Sequence, residues 1–267
     1  MGLFDVHAHL THSRFEDDLA EVLVRARERG LSCIISNGLN PTDNRAVLDL
    51  AKRDPIVRAA VGFYPVETVL RAMRHDGVDY PSTEADYSPD EGIESVRELA
   101  DQAIAVGEIG LDGYWCPAPY WEQQEQVFRQ LVQIALDANK PIIIHTRKRE
   151  KRALEILLEM GAQRVDWHCF GSKVKLAHKI AEAGHHLSIP ANARRSESFT
   201  RMLQTLPREQ ILLETDCPYL SPEPGSRNEP ANVAGTADYA AELWDCSVNE
   251  VTKQLEDNFQ TLFRVAP

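Results

Sequence analysis

The chain has 267 residues, with 29 Lys and Arg against 41 Asp and Glu, so its formal net charge is −12; 43% of residues are hydrophobic and 26% charged. This is ordinary globular composition, and it excludes a disordered tail, a collagen-like repeat and a disulfide-dense mini-domain. It also excludes binding nucleic acid over the whole surface, because phosphate contact is driven by clustered Lys and Arg, but it leaves open a local patch or a metal site. No apolar run approaches the roughly 20 residues of a membrane span.

The five cysteines, Cys33, Cys116, Cys169, Cys217 and Cys246, are odd in number and form no CxxC pair. They read as free thiols in a reducing compartment, so a cytoplasmic protein is expected. The opening MGLFDVHAHL has no basic stretch ahead of an apolar run and is not expected to act as a secretory signal.

Strand-like runs occur at Leu3 to His9, Leu31 to Asn37, Ile56 to Phe63, Ala103 to Ile109, Pro141 to Thr146, Arg164 to Phe170, His185 to Ile189 and Ile211 to Asp216. Several are rich in Ile and Val without clean alternation, as strands buried on both faces should be. Helical stretches lie between them at Phe15 to Arg29, Trp121 to Ala138, Ala153 to Met160 and Val174 to Ala183; Gly30, Gly161 and Gly184 stand at C-terminal positions. Ser196 and Ser247 are candidate N-caps, the latter with Glu250 at capping-box spacing. Arg71 to Gly92 is polar, contains Pro81 and Pro89, and is expected to be an irregular insertion. Eight strands alternating with helices predict an α/β fold, a single (β/α)8 TIM barrel spanning residues 1–267. An open doubly wound sheet is the alternative, but it offers no place for so many polar strand ends.

Those polar ends carry the functional signal. Asp5, His7 and His9 alternate along the first strand, so they are expected to share a face. Glu108 follows a run of small and apolar residues, His145 follows three isoleucines, His168 follows Val165-Asp166-Trp167, and Asp216 closes Ile-Leu-Leu-Glu-Thr-Asp. In a parallel barrel the strand C-termini converge on one mouth. Four imidazoles and two carboxylates gathered there suit a divalent cation: Zn, Mn or, with more waters, Mg. His12, His75, His178, His185 and His186 fall on loops, in a helix or at a strand start, and read as structural or solvated.

These residues, in this order, resemble the TatD-type metal-dependent hydrolases, a branch of the amidohydrolase barrels. The resemblance runs nearly end to end: Phe4 to His9, Gly107 to Asp112, Pro141 to Arg147, His168-Cys169-Phe170, Glu214 to Leu220, Arg227 to Pro230, and Asn258 and Phe263 near the end. It implies a barrel with one or two divalent metals that hydrolyses DNA phosphodiesters, often from the 3′ end. By position, His7 and His9 would hold one metal with Asp216, Glu108 would bridge, His145 and His168 would hold the second, and Asp5 would stand behind the ligands. The sequence departs from the family pattern at Gly62-Phe63-Tyr64-Pro65, where the family often has Gly-x-His-Pro, and at Gly171-Ser172, where it has Thr-Gly.

Hydrolysis follows from such a centre, since a bound divalent cation lowers the pKa of its water. Asp216 and Glu108 are the expected catalytic carboxylates. Tyr64, Arg147, Arg227 and Asn228 are the expected substrate contacts. Arg147, Lys148, Arg149, Lys151 and Arg152 form a cationic run after His145, with Arg194 and Arg195 after the seventh strand; the run reads as phosphate contacts or as a solvated helix start, and Tyr114, Trp115 and Trp121 as base-stacking groups or as core packing and loop closure. The expected substrate is DNA ends or single-stranded DNA, with no membrane association and no obligate protein partner. The alternative is a hydrolase of an aminoacyl ester, amide, lactone or small phosphoester.

Overall fold

A computed structural model describes residues 2–80 and 86–264. Eight parallel strands form one sheet in sequence order: β1 Leu3–Ala8, β2 Leu31–Asn37, β3 Val57–Val61, β4 Ala105–Asp112, β5 Ile142–Arg147, β6 Val165–Trp167, β7 His186–Ile189 and β8 Ile211–Leu213. The helices around them are α1 Leu19–Glu28, α2 Pro41–Arg53, α3 Glu67–His75, α4 Pro89–Leu99, α5 Trp121–Asp137, α6 Glu150–Glu159, α7 Val174–Glu182, α8 Glu197–Thr205, α9 Val233–Trp244 and α10 Val248–Phe263. This is the expected TIM barrel.

The seam between the last and first strands is closed just beyond β8. The amide of Asp216 donates to the carbonyl of His7 at 2.9 Å, and that of His9 donates to Cys217 at 2.8 Å. Asp5 reinforces the seam from β1: one carboxylate oxygen accepts the Thr215 amide at 2.9 Å and the other accepts the Thr215 hydroxyl at 2.5 Å. Closing the barrel therefore sets Asp216 beside His7 and His9. A register shift in β1 between Asp5 and Ala8 breaks the simple alternation expected there. Asp5 accordingly serves the seam, while the two histidines serve the mouth.

Residues of six strands, including Phe4, Ile35, Ala60, Ala105, Ile143 and Leu212, meet in a buried cluster that Phe259, Leu262 and Phe263 of α10 complete. Phe4 and Phe259 stack at 4.3 Å, and the Asn258 amide donates to the carbonyls of Arg208 and Ile211, both at 2.7 Å. The strand N-termini are thus plugged, and the opposite end stays polar.

Several stretches differ from the sequence expectation, α9 among them, since no expected helix covered it. The first helix starts at Leu19, because Ser13–Phe15 forms a 3-10 turn that buries the Phe15 ring. Helix α2 was not anticipated; Asn40 caps it by accepting from the amides of Thr42 and Asp43, and Pro41 sits in its first turn. The expected irregular insertion is helical at its two ends and irregular over residues 76–80 and 86–88: α3 enters it, and α4 leaves it behind a Ser88–Glu91 capping box with Pro89 at the first position, where its missing N–H costs nothing. Pro81 lies outside the described residues.

His185 is held between the Trp167 indole N–H (3.1 Å) and the carbonyl of Ala162 (2.9 Å). His186 is buried at the start of β7, with neither ring nitrogen hydrogen-bonded to a described residue. Burial, with a smaller push from His185, lowers its pKa to about 4 from the ordinary 6.5. Its folded value is depressed, so the stability tied to neutral His186 is fully present above pH 6.5 and is lost as pH falls toward 4. Urea titrations should show the wild type losing up to about 3 kcal/mol more than His186→Leu across that window. Parallel pH profiles would contradict this.

Candidate metal centre

Six side chains meet at the C-terminal mouth of the strands. His7 Nε2 lies 3.3 Å from His9 Nε2, 3.3 Å from Glu108 Oε2 and 3.9 Å from Asp216 Oδ1. His9 Nε2 lies 3.6 Å from Glu108 Oε2 and 3.4 Å from Asp216 Oδ1. The other Glu108 oxygen faces His145 Nδ1 at 2.9 Å and His168 Nε2 at 4.0 Å. The His7 and His168 rings stack at 3.6 Å. Two triads, His7–Glu108–His168 and His7–His9–Asp216, each bring ligand atoms within 4.8 Å of one another.

Local backbone explains how the side chains meet. Gly110, at φ +148°, lets β4 lie against β5, because a Cβ there would stand 1.9 Å from the carbonyl oxygen of His145. Gly62 does the same for β3, where a Cβ would stand 2.3 Å from the Glu108 nitrogen. Glu108 is thereby presented between the end of β3 and His145. His168 lies one residue past β6 and Asp216 three past β8, so both reach the mouth from turns.

Three of the four imidazoles are also held from behind. Asp112 Oδ2 lies 3.1 Å from His145 Nε2, Glu214 Oε2 lies 3.1 Å from His168 Nδ1, and the carbonyl of Asn37 lies 3.3 Å from His9 Nδ1. Glu214 in turn accepts from the Ser188 hydroxyl at 2.6 Å. Carboxylates and carbonyls behind imidazoles fix ring orientation and raise basicity. The supporting roles of Asp112 and Glu214 were missed in the sequence, although both stand in quoted motifs. For Glu214 the available signal was its two-residue spacing from Asp216.

The electrostatics express crowding of unlike charges. Burial opposes ionisation of Glu108, yet hydrogen bonds from His145 and His7 hold it well below the usual carboxylate value. Burial likewise opposes Asp216, and His168, His9 and His7 outweigh it to hold its carboxyl down. Against the cost of burial, Asp112 and Glu108 raise His145 to about 9, and Glu214, Asp216 and Glu108 raise His168 to about 10. Burial lowers His7, whose Nδ1 has no hydrogen-bond partner among the described residues. Clustered lone pairs this deeply buried must share protons or a cation. Neutral imidazole and carboxylate donors fit a divalent ion.

The four expected substrate contacts divide. The Tyr64 ring lies edge-on to His145 at 5.0 Å, and Arg147 lies exposed at the rim, its guanidinium 3.6 Å over the Tyr114 ring. Arg227 and Asn228 are placed in the loop after β8. Both terminal nitrogens of Arg227 are spent on Asp18 (2.7 and 2.6 Å), with the carbonyl of Arg14 at 2.6 Å. Asn228 is fully buried, donating to the Thr215 carbonyl and accepting from the Glu229 amide and the Asn232 side chain. Both brace the loop after β8. Two of the five residues of the cationic run are also engaged, since Arg149 and Arg152 pair with Glu125.

Two outcomes follow. Glu108→Gln, with unchanged circular dichroism, should weaken divalent-ion binding at least about tenfold by calorimetric titration; unchanged affinity would remove Glu108 from the centre. Arg227→Ala should lower Tm and leave substrate KM within about twofold, whereas a large KM rise would restore it as a contact.

Comparison with known proteins identifies the family. A family model described as "TatD related DNase" matches residues 4–264. The metal-dependent hydrolase YabD of Bacillus subtilis is 32% identical, covering 98% of this chain and 99% of its own. Deoxyribonuclease TATDN3 of Homo sapiens is 30% identical, covering 98% and 95%. The crystal structure of YjjV, a TatD homologue from Escherichia coli, superposes with a TM-score of 0.84 at 24% identity over 98% of both chains, which speaks to the fold. The chain belongs to the TatD related DNase family and is a metal-dependent hydrolase of that type.

Proposed function

We infer that this hydrolase is a deoxyribonuclease, shortening DNA ends or single strands from the 3′ terminus in the cytoplasm. The observation that carries the reading is the meeting of Glu108 and Asp216 with four imidazoles at one buried mouth, beside a rim that bears exposed cations. His7, His9 and Asp216 would hold one divalent ion, His145 and His168 a second, with Glu108 between them; Mg, Mn or Zn suits such donors. Bound there, these ions supply Lewis acidity, which acidifies water and offsets charge on phosphoryl oxygens.

The remaining steps belong to the chain's own side chains. Asp216 is ionised and its side chain keeps 15% exposure, so it can accept the proton of the attacking water at a carboxylate oxygen. Burial, with Glu108 next, pushes the Tyr64 phenol well above its usual pKa, so its hydroxyl stays protonated and can donate to a phosphoryl oxygen. Arg147 can meet a neighbouring phosphate with its N–H edge. Asp112 and Glu214 keep His145 and His168 aimed throughout.

A second reading has the same centre acting on an aminoacyl ester, amide, lactone or small phosphoester. It is favoured by the net charge of −12 and by Tyr64 standing where the family often has His. A substrate panel separates the two, since turnover on a small ester far above that on DNA selects the second.

The direct test uses 3′- and 5′-labelled single-stranded DNA with Mg, Mn or Zn. Stepwise loss from the 3′ end, stopped by chelation, is expected, and Asp216→Asn should lower kcat by roughly 100- to 10,000-fold. No cleavage with any of these ions at several pH values would overturn the reading.

A further inference from the structure

Tyr114 and Trp115 are among the few large apolar side chains left exposed in the described residues, at 47% and 37%. Both lie in the loop after β4, at the mouth end of the barrel, and their placement is not loose. Asp112 Oδ1 accepts the amides of Tyr114 and Trp115, each at 2.7 Å, while its Oδ2 faces His145 Nε2 at 3.1 Å. One buried carboxylate thus fixes both the aromatic loop and an imidazole of the centre. The β4–β5 ladder runs on into the loop, with Asp112 paired to Arg147 and the Gly113 amide donating to the Arg147 carbonyl at 2.7 Å.

Two cations lie on this loop. The Arg147 guanidinium is 3.6 Å and the Lys148 ammonium 4.8 Å from the Tyr114 ring centroid. Neither has a carboxylate within 4 Å among the described residues, whereas Arg149, Arg152, Arg194 and Arg227 are all so paired. In a chain of net charge −12, these rim cations stay unneutralised where they adjoin exposed aromatics. Loop closure does not account for them, because it is already served by Asp112 and by Trp121. The Trp121 indole donates to the Cys116 carbonyl at 2.8 Å, and its ring is covered by Arg149.

Flat aromatic surface beside unpaired cations is the chemistry that holds single-stranded nucleic acid, with bases stacking and phosphates meeting the cations. We propose that Tyr114, Trp115, Arg147 and Lys148 form a base-stacking subsite that holds an unpaired nucleobase next to the bond being cut. The proposal rests on the phosphodiester reading above and deepens it. The enzyme then grips its strand by base as well as by phosphate, and a duplex end must fray before its nucleotide can be seated. Stacking tolerates any base, so the subsite discriminates base from no base and single strand from duplex, without reading sequence.

The test is equilibrium binding, followed by fluorescence anisotropy, of two labelled single-stranded oligonucleotides of equal length. One carries normal bases throughout and the other carries abasic residues at its 3′ end. The wild type should prefer the normal strand at least about fivefold. Trp115→Ala and Tyr114→Ala should each shrink that ratio toward one, and Tyr114→Phe should keep it. Lys148→Ala should weaken both strands together and reduce the salt dependence of binding. Equal wild-type affinity for the two strands, or an undiminished preference in both alanine variants, overturns the subsite. If the wild type cuts both strands equally well, the subsite falls and the phosphodiester reading stands. If it binds neither strand and cuts no DNA, both fall.

Discussion

A buried carboxylate facing imidazoles on two sides is the constraint on which the rest of the structure depends. Glu108 is 2% exposed and lies within 4.0 Å of nitrogens on His7, His9, His145 and His168. Such a group cannot be left bare in a low-dielectric interior, where an unpaired ion costs several kcal/mol. Its charge must be met by protons on the imidazoles or by a cation among them. The raised values of His145 and His168 are the first solution, and the donor set is built for the second. A hydrolase uses this frustration, because groups that must bind something positive are also groups that can steady developing negative charge.

The barrel exists in the form that makes this meeting possible. Glu108 lies within β4, the histidines of β1 and β5 lie near or just past their strand ends, and His168 and Asp216 lie beyond theirs, so small errors in sheet closure would separate them. The Asp216–His7 and His9–Cys217 backbone bonds, together with the Asp5–Thr215 clamp, fix the seam. Gly62 and Gly110 permit the close approach of β3, β4 and β5 around Glu108. Asp112 and Glu214 then hold two of the rings. Preorganisation of this kind stores its cost in folding, so the site needs little rearrangement when charge develops.

Much of this was legible in the sequence, for definite reasons. A His-x-His pair, a glutamate after small residues and an aspartate at the end of an apolar run are costly inside a barrel unless they converge, so their places along the chain already pointed to one mouth. Asp112 and Glu214 were harder to read, because what distinguishes a ligand from the group behind it is a direction in space. Arg227 and Asn228 were read from residue types that suit phosphate, whereas the partners they have in the fold, Asp18 at 209 residues' separation and Thr215 at 13, are not visible in residue type. The register shift in β1 breaks the two-residue alternation that had placed Asp5 on one face with the histidines, whereas the family resemblance had already set it behind the ligands. Helices α3 and α4 were obscured by polar composition, although Ser88, Pro89 and Glu91 carried a start signal.

The central claim is that the six side chains share divalent cations. Anomalous X-ray scattering from crystals of the chain grown with manganese or zinc tests it most directly. The account predicts peaks at the metal edge between His7, His9 and Asp216, or between Glu108, His145 and His168. A well-ordered mouth with no anomalous peak, or peaks only at surface carboxylates elsewhere, would contradict it.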